Sequence, residues 1–254
     1  MSDNDDQTDD LTDEEILARI DFKFRTLKDI VERAAKGGVS GAVVFGAPGV
    51  GKTFCVEETL IECGVDFQRL TGKASPGGLY DQLHMVKESG QVLVADDCDS
   101  ILEDKTSINL LKAVLDSRKV RRVSWNSRQA SDTPSSFEFE GSVIFITNTD
   151  FAAEAQRGKK IATDLEAILD RTLYLDLTIK TEREKILRIR QVAQEHGMLE
   201  AKGLSSYQRV QVLKYFEKNA PRFRQLTVRR LAIIADLCLA GGDWQALADQ
   251  TSLK

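Results

Sequence analysis

The sequence predicts an α/β fold, a parallel sheet covered by helices, followed by a second unit that is all helix. Three observations carry this reading. Short apolar runs recur over the first two-thirds of the chain as "GAVVF", "DFQRL", "QVLVADD", "SVIFITN" and "TLYLDL", and near-continuous runs of this kind suit strands buried on both faces. Helical patterns stand between them, the alternation expected of a parallel sheet with helical crossovers. After about Leu177 the strand signal stops and only helical periodicity remains.

The elements follow in order. "MSDNDDQTDDLTDEE" holds eight acids and no base, and residues 1–15 are expected to form a disordered solubilising tail, with a partner-binding or DNA-mimicking role as the alternative. A helical stretch from about Ile16 to Lys36 ends at Gly37-Gly38, and the α/β core is expected over residues 16–178. Within it "SINLLKAVLDS" sets Ile108, Leu111 and Leu115 on one helical face. The helical unit, residues 179–254, opens at "TEREKILRIRQVAQEHG" with a capping box from Thr181 to Glu184. Two further helical stretches and the short "DWQALADQ" complete it.

Composition bounds the function without naming it. At 254 residues, 42% hydrophobic and 30% charged, the chain reads as an ordinary globular protein. No apolar run approaches the roughly 18 residues of a membrane span, and the first residues lack a signal-peptide pattern, so a cytosolic location and no membrane partner are expected. Cys55, Cys63, Cys98 and Cys238 form no CxxC pair, which argues for buried thiols over zinc or disulfides. The formal net charge of −5 comes from the tail; the rest of the chain has 35 cations against 32 acids.

The most specific chemical signal is "GAPGVGKT", the residues Gly46, Ala47, Pro48, Gly49, Val50, Gly51, Lys52 and Thr53. It matches GxxxxGK[ST] between an apolar strand and a helix. In that pattern backbone N–H groups curl around phosphates at a helix N-terminus, the lysine reaches the outer phosphates and the hydroxyl, here Thr53, holds magnesium. "VLVADD" ends the third strand with the matching acids: Asp96 to bind hydrated magnesium, Asp97 to polarise the attacking water. Cys98 cannot supply a carboxylate, and Asp99 is expected to face a loop.

With "VIFITN", "LEAILDR" and "PRFRQLTVRR" following in order, residues of about 20 to 254 resemble an AAA+ ATPase, a P-loop NTPase core with a helical lid. The resemblance implies ATP and Mg2+ as cofactors and a homo-oligomeric ring, commonly hexameric. It implies a first sensor at Asn148, an arginine finger at Arg171 that completes a neighbour's site, and a lid sensor at Arg224, with Arg222 and Arg229 as alternative registers. Many family members have Asp-Glu where this chain has Asp96-Asp97, which bears on the speed of hydrolysis; Asp-Asp occurs in bacterial replication initiators. The compact layout is also similar to small AAA+ proteins encoded by phages and mobile elements, which implies a prokaryotic or phage-infected cytosol.

"RKVRRVSWNSR" concentrates five cations and no acid. "KVRRVSW" and "SSFEFEG" read as the arms of a hairpin that in family members can project into the ring channel. Arg118, Lys119, Arg121, Arg122 and Arg128 would then line a pore for DNA, with Trp125 as a stacking face for a base. The alternative is a solvated strand face pairing with Glu138 and Glu140. The loop "TGKASPGGLY" lacks the aromatic-apolar-glycine signature of polypeptide-threading relatives, and Tyr80 is expected in a helix core. Three readings stay open: a DNA-acting ring such as an initiator or helicase loader, a remodeller of a protein partner, and a slowly hydrolysing nucleotide switch.

Overall fold

The computed structural model describes residues 11–125, 132–156 and 162–254. Arg128, the turn around it and the first ten residues of the acidic tail lie outside the described residues. The chain divides into two compact units. One gathers residues up to Phe22, Ala47–Gly51 and Ile179–Lys254; the other gathers Lys23–Gly46 and Lys52–Thr178.

The larger unit is built on five parallel strands: β1 (Gly41–Phe45), β2 (Phe67–Thr71), β3 (Val92–Asp96), β6 (Ser142–Thr147) and β7 (Leu173–Asp176), in the order β2-β3-β6-β1-β7. The central strands β3 and β6 are buried at every position, which is why their sequences show no polar alternation. The register aligns the strand ends. Phe45 pairs with Thr147 and Asp176, and Asp96 pairs with Thr71 and Ile146, so the residues just past these positions gather at one edge of the sheet.

Helices α2 (Lys52–Glu62), α3 (Pro76–Met85), α4 (Lys105–Val114), α5 (Phe151–Gln156) and α6 (Ala162–Leu169) connect the strands. Tyr80, Leu83, Leu111, Val143 and Ile168 belong to one buried cluster with the sheet. Ile108, Leu111 and Leu115 are all buried, as their spacing predicts. A separate antiparallel pair, β4 (Arg121–Ser124) with β5 (Ser136–Phe139), forms the arms of the expected hairpin. It is not a free projection, because Val123, Phe137 and Phe139 are part of the same core.

Helix α1 (Asp13–Ala35) corrects the reading of the tail. Asp13, Glu14 and Glu15 form its first turn, where Glu15 Oε2 accepts the Thr12 N–H at 2.8 Å and Thr12 Oγ1 accepts the Glu15 N–H at 3.2 Å. Acids at a helix N-terminus are stabilised by the helix dipole and by such a capping box. The smaller unit contains α7 (Glu182–Gln194), α8 (Met198–Ala201), α9 (Ser206–Lys218), α10 (Val228–Ala240) and α11 (Trp244–Ser252). Its core joins Leu199, Phe216, Phe223, Leu231 and Ala248, and the Thr181–Glu184 capping box is present at the start of α7. All four cysteines are free; Cys55, Cys98 and Cys238 are buried and Cys63 is half-buried.

Candidate nucleotide site

At the strand-end edge of the sheet, in the larger unit, the side chains of Lys52, Thr53, Asp96, Asp97 and Asn148 meet. Lys52 is buried on the first turn of α2; its Nζ donates to the Gly46 carbonyl at 2.6 Å and to Asn148 Oδ1 at 2.8 Å. Asn148 Nδ2 donates in turn to Asp97 Oδ1 at 2.7 Å. Burial pulls the Lys52 ammonium below the ordinary lysine value, and the Asp97 and Asp96 charges act against that pull. Thr53 Oγ1 donates to Asp96 at 3.1 Å and 3.2 Å to the two carboxylate oxygens.

Asp97 is exposed with φ +48°, the left-handed region that non-glycine residues seldom enter. Its N–H donates to the Ile146 carbonyl at 2.9 Å, which extends the sheet pairing past β3 while the carboxylate turns out to Asn148. Asp99 faces elsewhere, accepting from Thr147 Oγ1 at 3.0 Å and Thr149 Oγ1 at 2.7 Å.

The loop segment Ala47–Gly51 belongs to the helical unit, where the start of α10 holds it. Val228 N–H donates to the Gly49 carbonyl at 2.9 Å. Gly49 has φ +73°, and a Cβ there would stand 2.5 Å from the Cβ of Thr227, the N-cap of α10, so glycine is required on both counts. Arg224 is exposed and lines a cleft with Ala47 and Pro48. Arg229, one of its alternative registers, lines another with Pro48 and Gly49 on the first turn of α10. Arg222 turns to Asn219 Oδ1 at 2.9 Å.

The residues present suit a magnesium nucleotide. A threonine hydroxyl beside a carboxylate is an all-oxygen donor set, and magnesium usually takes one or two protein oxygens plus phosphates and waters. Among the described residues no three His, Cys, Asp or Glu side chains cluster as a metal cage.

Arg171 stands at the other edge of the sheet. It precedes β7 and is exposed, with Nη1 donating to the Ala167 carbonyl at 2.6 Å. The expected DNA contacts divide. Arg121 is buried, and its guanidinium donates to the carbonyls of Phe139 at 3.1 Å, Val114 at 2.7 Å and Gly141 at 2.7 Å; it ties the hairpin to α4 and cannot line a pore. Trp125 is half-buried and packs edge-on against Tyr80 with ring centroids 5.8 Å apart, so its ring is engaged by the core. Arg122 is exposed opposite Glu138. Arg118 and Lys119 precede β4 and line a cleft with Arg171.

Two arginines were not anticipated. Arg69 on β2 bridges Glu57 at 3.1 Å and Asp96 at 2.7 Å. Arg188 on α7 is buried, donating to Gln191 Oε1 at 2.7 Å and lying 3.5 Å from the Val50 carbonyl. Arg69 carried no motif. Arg188 left one trace in the sequence, its place in a polar stripe of Glu184, Arg188 and Gln191 at helical spacing, and all three are buried.

Strand order, phosphate loop and helical unit together define an AAA+ P-loop ATPase fold. Three mutant forms of RuvB from Thermotoga maritima share it, with TM-scores of 0.53, 0.52 and 0.51 at 15%, 14% and 15% identity, covering 92 to 94% of this chain and 68 to 70% of theirs. Within that class the chain belongs to the family of a 36.7 kDa protein, itself uncharacterized, from the nrdC-mobD intergenic region of Enterobacteria phage T4: the two are 30% identical over 244 residues, 92% of this chain and 75% of the phage protein. No family profile matches the chain. Among the described residues no helix is long and apolar enough to cross a membrane.

Proposed function

We propose that this chain binds and hydrolyses ATP in a homo-oligomeric ring, with each site completed by Arg171 of a neighbouring copy. The observation that carries the reading is the opposition of the two sheet edges. Lys52, Thr53, Asp96, Asp97 and Asn148 follow or flank strand ends, whereas Arg171 precedes a strand start. The strands between are four to six residues long, on the order of 15 Å, too far for an arginine to reach the phosphate loop of its own subunit. A head-to-tail contact that joins one edge to the other closes into a ring when its rotation allows. Leu173 and Tyr174, exposed beside Arg171, offer apolar surface to that contact.

In this reading the backbone of Gly46–Thr53 cradles the phosphates and Lys52 neutralises the outer ones. Thr53 and Asp96 would hold Mg2+, which supplies charge neutralisation on the phosphate oxygens. Asp97 accepts the proton of the attacking water, and Asn148 orients both that carboxylate and Lys52. Arg224 keeps its expected role as the lid sensor in this reading, with Arg222 and Arg229 as the alternative registers; Arg224 and Arg229 line clefts beside the segment Ala47–Gly51 within the helical unit.

For the partner we favour DNA. RuvB of Thermotoga maritima is a Holliday junction branch migration motor, and Arg122 is an exposed cation on β4, with Nη2 donating to Ser136 Oγ at 3.3 Å. Turnover measured against protein concentration, with and without DNA, RNA and unfolded polypeptide, tests the whole reading. A rate per subunit that climbs with concentration and with DNA supports it. A rate independent of concentration removes the ring; stimulation by polypeptide alone turns the reading to a protein remodeller, and stimulation by nothing to a nucleotide switch.

A further inference from the structure

The cleft at the strand-start edge carries more charge than the finger alone. Its volume is about 480 Å³, and Asp116, Arg118, Lys119, Arg121 and Arg171 line it together with the turn before β1. The segment from Asp116 to Arg121 is anchored at both ends. Leu115 before it is buried, and Arg121 after it is fixed to three carbonyls. Between those anchors Asp116 Oδ1 accepts both the backbone N–H and the Nε of Arg118, each at 3.0 Å, and Arg118 Nη2 lies 3.5 Å from Asp116 Oδ2.

The Arg118 side chain nevertheless remains 80% exposed. Hydrogen bonds from the Arg118 side chain and backbone, with the Arg171 charge also in reach, hold the Asp116 carboxyl below the usual aspartate range. One carboxylate thus stands in the field of two exposed arginines that arrive from different elements. The ion pair occupies Nε and turns Nη2 toward Asp116, which leaves the Nη1 donors of Arg118 for a ligand.

We infer that Arg118 is a second cation presented, together with Arg171, to the triphosphate bound by an adjacent copy of this chain, and that Asp116 is its positioning residue. The inference rests on the trans role of Arg171 argued above. A triphosphate spreads its charge over several oxygens, and two guanidinium forks held on a common face match it better than one. Arg118 lies before β4 and not on the hairpin arm, in the same cleft as Arg171, which favours this ligand over DNA in a channel.

The test is ATP turnover of purified variants alone and in pairwise mixtures. Arg118→Ala should melt like the wild type, bind ATP with unchanged affinity and lose at least about tenfold in turnover, with Arg118→Lys intermediate. Mixed with Lys52→Ala, it should regain activity at interfaces where an intact site meets an intact cation pair. Mixed with Arg171→Ala it should stay inactive, because both cations must come from one subunit to one site. Recovery in that last mixture would mean that Arg118 acts within its own subunit or on DNA, and wild-type turnover of Arg118→Ala would remove it from the site; either result overturns the inference. The Lys52→Ala and Arg171→Ala mixture is the separate control. If it recovers while Arg118→Ala is fully active, the Arg171 reading stands without Arg118; if it fails to recover, both fall.

Discussion

Asn148 joins Lys52 to Asp97, the acid that follows β3: its amide accepts from Lys52 at 2.8 Å and donates to Asp97 at 2.7 Å. The partners fix the amide orientation, since an ammonium can only donate and a carboxylate can only accept. The left-handed backbone at Asp97 brings its carboxylate to that amide. Asn148→Ala should therefore retain ATP affinity within about threefold and lower turnover by about 10² or more, the scale of a positioned acid–base group. Single-turnover hydrolysis measures it, and wild-type chemistry in the variant would exclude Asn148 from the step.

Lys52→Ala and Asp97→Asn should separate binding from chemistry. The first removes the buried charge at the loop and should abolish tight ATP binding. The second keeps the acceptor geometry toward Asn148 while removing the base, and should bind ATP yet turn over slowly. A fluorescent ATP analogue titrated into each variant reads the difference, and equal affinities in the two would contradict the division of labour.

In the proposed site Arg69 would compete with Mg2+ for Asp96, because its guanidinium sits 2.7 Å from the carboxylate. Arg69→Ala should lower the Mg2+ concentration for half-maximal nucleotide binding by up to about fivefold, the scale of a partly exposed ion pair. An increase in that concentration would show that Arg69 instead holds Asp96 in place.

Arg121 is a stability residue. Arg121→Ala leaves the carbonyls of Val114, Phe139 and Gly141 without their donor and should cost about 3 kcal/mol in denaturant unfolding. Loss of DNA affinity at unchanged stability would return it to the DNA-binding role that its sequence context suggested.

Glu184 gives the helical unit an acid limit. Burial acts to raise its pKa, but the N–H groups of Thr181 and Lys180 and the Arg19 guanidinium outweigh it, and the carboxyl is held below the usual glutamate range. A depressed folded-state pKa contributes stability that is present above the unfolded value near 4.5 and lost as pH falls through the lower folded value. Glu184→Gln should be less stable than the wild type at pH 7, with the gap narrowing below about pH 4. A gap that is constant across the range would contradict the assignment.

These residues also mark what a sequence can disclose. Strands β1, β3 and β6 were legible because a strand buried on both faces must be apolar throughout, β2 and β7 from short apolar runs although both keep exposed positions, and the phosphate loop because its backbone demands glycine at fixed steps. Arg121 was misread although a signal existed: it lies two residues before Val123, so in a strand it shares the core-facing side of that valine. The start of α1 was hidden because acids that cap a helix look like acids in a tail. Arg69 and Arg188 were invisible, since each matters through neighbours far along the chain. The lid sensor register stayed open because Arg224 and Arg229 both lie beside the loop segment, by routes that only the folded chain brings together.

The central claim is that hydrolysis needs two copies, one bringing Lys52 and the next Arg171. Its most direct test is ATP turnover of Lys52→Ala and Arg171→Ala, alone and mixed in equal amounts under conditions where both assemble. Each alone should fall by about 10³ or more, the scale of a supplied arginine. The mixture should recover activity at about one interface in four, the share at which an intact site meets an intact finger under random head-to-tail assembly. Undiminished turnover of Arg171→Ala, or a co-assembled mixture as inactive as its parts, would contradict the account.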